Sequence, residues 1–191
     1  MKTKSTLLAT ALAVATGALV LAPTAQAVQS PTGTINFNGR VVANSCVITV
    51  TGGSASAAGG AATGNVTLPT VYTTDLSTAG SVAGATPFSI ALTGCDSSFT
   101  SAQTLWTPGG NLSATGGRLK NTSGSNVDVQ LLNGSGTAMD LSKATAAAQG
   151  SQSVSFSSGS ATLNYTAQYY ASVAATAGAV NTSTQFTVIY Q

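Results

Sequence analysis

TINFNGRVV, residues 34–42, is the stretch on which the reading of this chain turns. Ile35, Phe37, Gly39 and Val41 fall on one face of an extended segment; Thr34, Asn36, Asn38 and Arg40 fall on the other. Strict alternation of this kind is the period of a half-buried β-strand. The loose, polar VQSPTG at residues 28–33 precedes it. A strand so placed either belongs to the sheet of its own domain or is an arm that completes the sheet of another molecule. Most of the functional question is which of these it is.

Upstream, residues 1–27 read as a secretory signal peptide. Lys2 and Lys4 form a charged head, residues 7–21 are an uncharged and mostly apolar run, and Ala25-Gln26-Ala27 supplies the small-x-small cleavage pattern. That run is shorter than the roughly 20 residues a transmembrane helix needs. The chain is therefore expected to be exported, with Val28 as the mature start. Of the six basic residues, Lys2 and Lys4 leave with the signal, so Arg40, Arg118, Lys120 and Lys143 face Asp75, Asp96, Asp128 and Asp140. The mature net charge is near zero. A nucleic-acid partner wants a clustered basic patch, and the pair Arg118 and Lys120 reads as a solvated turn instead.

The mature chain is rich in Ala, Thr, Ser, Gly, Val and Asn. Small and β-branched residues suit tightly packed sheets and frequent turns. A monomer with so few charges is poorly defended against association, which ceases to be a defect in a protein meant to polymerise. Cys46 and Cys95 are an even count in an exported chain, so a disulfide is the expected pairing. Closing a loop of about 50 residues contributes on the order of 4 kcal/mol by the chain-entropy model. Each cysteine sits in or beside an apolar run, VVANSCVITV and PFSIALTGC, so the bridge is expected to staple two neighbouring strands. With no histidine and no Cys-x-x-Cys, a metal or redox pair lacks support.

Further strands are predicted over residues 65–70 (NVTLPT), 86–92 (TPFSIAL), 127–132 (VDVQLL), 137–141 (TAMDL), 163–173 (LNYTAQYYASV) and 184–191 (TQFTVIYQ). Asn133-Gly134 is a hairpin signal. Residues 52–64 form a Gly/Ala/Ser loop, and the Ala-rich residues 141–149 could make one or two helical turns. Several short strands with frequent turns argue for an all-β sandwich.

Three stretches in order resemble the subunits of chaperone–usher pili, most of all the type 1 major fimbrial subunits. GTINFNGRVVANSCVI resembles that family's N-terminal extension running into the first cysteine strand. TPFSIALTGCD resembles the region around the second cysteine. ATAGAVNTSTQFTVIYQ resembles the C-terminal signature, with Gly178 fourteen residues from the end (counting Gln191 as one) and Tyr190 penultimate. The resemblance implies an incomplete immunoglobulin-like sandwich of six strands that lacks the seventh and is completed by a donor strand from a neighbouring subunit. It also implies a division into a signal at residues 1–27, a donor-strand extension at 28–42 and a pilin domain at 43–191. Ile35, Phe37 and Val41 would fill a neighbour's groove, with Gly39 where only a hydrogen fits. Phe186, Val188 and Tyr190, with Gly178 ahead of them, would belong to the groove-side C-terminal strand. The implied partners are identical subunits in a homopolymer, other pilus subunits, a periplasmic chaperone and an outer-membrane usher. The implied location is an extracellular fimbria on a Gram-negative bacterium, supporting cell adhesion.

Other function classes have less in their favour. An enzyme needs acid–base or nucleophilic groups in a constellation; there is no histidine and no glutamate, and the four aspartates are scattered. No cofactor motif is present. A carbohydrate-binding module competes through Trp106, which can stack on a sugar, although its neighbours Pro108-Gly109-Gly110 suggest a loop or edge residue. A minor adaptor subunit is a further alternative.

Overall fold

Alternating β-branched and aromatic positions build two antiparallel sheets across the residues this computed structural model describes, 46–53 and 59–191. The predicted signal segment and the arm, with Ile35, Phe37, Gly39 and Val41, lie outside the described residues. The strands are β1 (Val47–Val50), β2 (Val82–Thr93), β3 (Ser101–Thr107), β4 (Asp128–Asn133), the two-residue β5 (Val154–Ser155), β6 (Ala161–Tyr170) and β7 (Gln185–Tyr190). One sheet has the order β1-β2-β6-β4 and the other β5-β3-β7. The described helix is confined to two short 3-10 segments, Thr73–Leu76 and Gly109–Asn111.

Period-2 patterning decides which side chains meet between the sheets. Phe88, Ile90 and Leu92 of β2 point inward beside Leu163, Tyr165 and Ala167 of β6 and Val129 and Leu131 of β4. From the opposite sheet come Ala102, Thr104 and Trp106 of β3. Phe88, Trp106 and Tyr165 form an aromatic centre, with Trp106 edge-on to Tyr165 at 5.2 Å and to Phe88 at 6.1 Å. Edge-to-face pairing places the positive ring edge against a negative face, which adds to the area buried.

The disulfide joins Cys46 to Cys95, and Val47 is paired with Thr93 in the β1–β2 ladder. The bridge thus staples two hydrogen-bonded neighbours, as anticipated. The Asn133-Gly134 signal is a true reversal: Gly136 N–H donates to Asn133 C=O, and the Asn133 side-chain oxygen accepts from the amides of Ser135 and Thr137.

Four readings need correction. Residues 65–70 run without a strand ladder; Pro69 cannot donate to one. Residues 137–141 contribute only a bridge from Ala138 to Leu132. Residues 141–149 form turns rather than helix. Residues 101–107, not anticipated as a strand, are the centre of the second sheet, and Trp106 is a core residue there.

Candidate functional site

A sheet edge is a row of unpaired peptide groups, and the fold deals with its edges unequally. The outer edge of β4 is covered by Leu119, which exchanges both backbone hydrogen bonds with Val129 at 2.8 Å, and by Met139, whose N–H donates to Leu131 C=O. The outer edge of β3 is closed first by β5, at Ser101 and Ala102. Beyond β5, side chains take over: Thr104 N–H donates to Ser151 Oγ at 3.2 Å, and Gln149 exchanges two hydrogen bonds with the Trp106 peptide. Among the described residues, β7 pairs with β3 alone.

Alongside β7 the two sheets part into a groove of about 1060 Å³. Its floor is Phe88 and Ile90 of β2, Trp106 of β3, Val129 and Leu131 of β4 and Ala167 of β6. One wall is β7, through Phe186 and Val188. The facing wall is Ile48 and Val50 of β1 with Val66 and Leu68 from the following extended segment. The burial pattern carries the same message. Inward residues of β2 and β6 are closed off from water, whereas Phe186, Val188 and Tyr190 of β7 are only half-buried. An apolar channel along a strand whose outer edge has no partner among the described residues is the shape into which one more strand fits.

The predicted residues divide between this groove and its surroundings. Phe186 and Val188 line it, and Phe186 lies 5.8 Å from the Trp106 ring. Tyr190 sits beyond its end, stacked on Phe99 at 4.6 Å with Phe156 alongside. Burial raises the Tyr190 phenol above the ordinary value, and a backbone hydrogen bond at Cys46 offsets part of that. Gly178 does not line the groove. Its backbone passes so close to residues 124 and 125 that a Cβ there would fall 2.6 Å from Gly124 C and Ser125 N. Its role is this close approach, which lets Ser125 N–H reach Ala179 C=O.

Two buried positions escaped the sequence reading. Trp106 forms part of the groove floor rather than a surface loop. Arg118 is buried, not solvated: Nε donates to Asp128 Oδ2 at 3.3 Å and the guanidinium lies 3.9 Å from the centre of the Tyr170 ring. The sign of Trp106 was the alternation of Ala102, Thr104 and Trp106, hidden because Thr104 is polar and Leu105 faces outward. Asp128 flanking an apolar strand gave the only hint for Arg118. Among the described residues no group of three or more His, Cys, Asp or Glu side chains is placed to hold a metal.

Residues 68–191 match the family model described as FimA, Type-1 fimbrial protein, A. Over 178 residues the chain is 40% identical to the major fimbrial subunit SMF-1 of Stenotrophomonas maltophilia, covering 90% of this chain and 99% of that protein. It is 40% identical to the F17 fimbrial protein of Escherichia coli over 167 residues, 83% of this chain and 87% of the relative. Among solved structures, an antigen and type I fimbria protein of Burkholderia pseudomallei superposes with a TM-score of 0.51 at 26% identity, covering 77% of this chain and 95% of that one. The P pilus rod subunit PapA has the same fold, with a TM-score of 0.53 at 18% identity over 66% of this chain and 92% of its own.

Proposed function

This chain belongs to the type-1 fimbrial protein family, and from that premise we propose that its residues 34–42 are a donor strand for the groove of the next subunit. The chain is a structural subunit of a fimbria, and fimbrial subunits polymerise with other pilus subunits. The observation that carries the finer reading is the apolar groove along β7, whose outer edge has no partner among the described residues. Ile35, Phe37 and Val41 have the alternation such a groove selects. Each aliphatic or aromatic side chain fully buried there contributes about 2 kcal/mol. The backbone ladder then satisfies the free edge of β7. In this reading Gly39 falls where the groove has room only for a hydrogen.

An unfilled groove of this kind is an aggregation hazard before assembly. A periplasmic chaperone that lends a strand, and an outer-membrane usher at which the arm replaces it, meet that need. The assembled product is an extracellular fimbria, and the chain's part in it is mechanical rather than enzymatic. The boundary between arm and pilin domain falls near residue 42, four residues ahead of Cys46.

The test uses subunit co-produced with a pilin chaperone, with and without residues 28–40. A synthetic peptide of residues 28–42 is expected to convert the arm-deleted subunit into a complex that survives SDS without boiling. A bulky residue at Gly39 of the peptide is expected to abolish that conversion. An arm-deleted protein that is a stable monomer and ignores the peptide would overturn the reading.

A further inference from the structure

We infer that Tyr190 is a positioning residue for the arm: its phenol holds the backbone at Cys46 and so sets the direction in which residues 34–42 leave their own sandwich. The inference rests on the reading of those residues as an intermolecular arm. It concerns the chain as strand donor, not as strand acceptor.

Cys46 is the first described residue after the arm, and it is fully buried. Its side chain is fixed by the disulfide to Cys95. The β1–β2 ladder starts one residue later, at the Val47–Thr93 pair, so the sheet does not fix the Cys46 backbone. A buried N–H ahead of a ladder needs an acceptor from elsewhere. Cys46 N–H finds it in the Tyr190 phenol oxygen.

Tyr190 is itself held in place. Its ring stacks on Phe99 at 4.6 Å, with Phe156 at 6.4 Å. Phe99 belongs to the turn that follows the second cysteine, its N–H donating to Asp96 C=O. Gln191, next to Tyr190, is pinned just beyond that turn: its main-chain oxygen accepts from Thr100 N–H at 2.6 Å and from Thr100 Oγ1 at 3.0 Å. The contacts close a circuit. It runs from Cys46 through the disulfide to Cys95, along the turn to Phe99, across the stacked rings to Tyr190, and from the phenol back to Cys46.

The consequence lies in the planar peptide group. The Cys46 N–H belongs to the peptide unit that joins residue 45 to residue 46. Fixing that N–H together with the Cys46 side chain therefore fixes the bearing of the chain as it leaves the sandwich. Only residues 42–45 lie between Cys46 and Val41, the last inward residue of the arm. Fully extended, five Cα steps span roughly 17 Å. Over so short a tether the direction at the root governs where the strand can go, and a pre-aimed strand loses less freedom on docking than a free one. Tyr190 does not line the groove, so removing its hydroxyl leaves the groove's floor and walls as they are.

The experiment splits donation from acceptance with Tyr190→Phe, which keeps the ring and removes the hydroxyl. The donor is the full chain with its groove already filled by the peptide of residues 28–42; the acceptor is the arm-deleted subunit bound to its chaperone. Formation of the SDS-resistant donor–acceptor complex is followed over time. Tyr190→Phe in the donor is expected to slow it roughly two- to tenfold, the factor to which one hydrogen bond's net contribution amounts. The same substitution in the acceptor is expected to leave the rate unchanged. Equal slowing from either side, or none from the donor, overturns the inference. Amide hydrogen exchange on the peptide-filled wild-type chain gives a second reading that needs no variant: protection of the Cys46 amide is expected, and free exchange overturns the inference. A wild-type donor that forms no complex while its Cys46 amide is protected overturns the arm reading, and this inference with it, although the Cys46–Tyr190 contact then stands.

Discussion

The side chain of Gln149 closes on the peptide of Trp106 as a strand would: its Oε1 accepts the Trp106 N–H at 2.9 Å, and its Nε2 donates to the Trp106 carbonyl at 2.8 Å. Nε2 also reaches the carbonyl of Lys143 at 3.0 Å, so one fully buried amide holds the loop onto the sheet. The fold closes the β3 edge with a side chain while β7, on the opposite side of the same sheet, has no described partner beyond β3. The contrast is between an edge sealed by side chains and one with no second partner among the described residues.

Gln149→Ala removes both Trp106 bonds and strands a buried N–H and a buried C=O. Leaving such groups unsatisfied costs about 1–3 kcal/mol each. We expect the complex of arm-deleted subunit and arm peptide to lose about 3 kcal/mol of stability. Urea titration of that complex, followed by tryptophan fluorescence, measures it directly.

A second prediction concerns Arg118 and Asp128, whose side chains are 9% and 12% exposed at a 3.3 Å contact. Breaking a buried pair by removing one partner costs about 3–5 kcal/mol when the other charge is left uncompensated; here Asp128 keeps only the Ser113 hydroxyl, and Arg118 keeps only neutral partners, Thr115, Ser172 and the Tyr170 ring. Arg118→Met and Asp128→Asn should each be strongly destabilising, and the double variant should be less so than the sum. The Tyr170 ring over the guanidinium makes Arg118→Lys a poor replacement as well. A double-mutant cycle by chemical denaturation decides it; simple additivity would mean the pair is not coupled.

What the sequence could and could not tell follows from how far apart the deciding residues lie. Alternation alone located β2, β6 and β7, because Phe88-Ile90-Leu92, Leu163-Tyr165-Ala167 and Phe186-Val188-Tyr190 each put their apolar members on one face. It missed β3 because the inward residues Ala102 and Thr104 are small or polar. Thr104 is accepted in the core through hydrogen bonds with Ser151 and Tyr165, partners 47 and 61 residues away. Arg118 was misread for the same reason: whether a charge is solvated or buried depends on Asp128 and Tyr170, neither adjacent in sequence. Of the C-terminal pattern, Phe186 and Val188 line the groove, whereas Gly178 serves the backbone crossing at Gly124 and Ser125.

Alkaline pH should loosen the far end of β7. Burial raises the Tyr190 phenol above the ordinary value of 10.0, and Tyr169 is raised by burial too. A group with a raised folded-state pKa contributes stability that is full below the unfolded value and is lost as pH rises through the folded one. Stability should therefore be level up to about pH 10 and decline above it. Tyr190→Phe, which keeps the stack on Phe99, should remove part of that decline and leave the Tyr169 share. Tyrosinate absorbance and denaturation midpoints across the same pH series test both statements, and a decline unchanged in the variant would remove Tyr190 from the account.

The last prediction separates the groove from the fold. Val188 is half-buried on the groove wall and is not among the fully enclosed core side chains. Before a strand arrives, a carboxylate at this position can remain hydrated at the open side of the groove. Once an arm closes over it, the same charge must be stripped of water with no partner, a cost of several kcal/mol that forces protonation or prevents closure. Val188→Asp should thus leave the disulfide able to form, weaken the hold of any strand lent by the chaperone, and block capture of the peptide of residues 28–42 by the arm-deleted subunit. Val188→Leu, similar in character and slightly larger, should retain capture with only a modest penalty, since hydrophobic swaps of about the right volume cost under about 1.5 kcal/mol. The peptide-exchange assay with SDS-resistant complexes reads both variants side by side. Equal capture by Val188→Asp and wild type would mean that β7 is not the wall against which the donor strand packs.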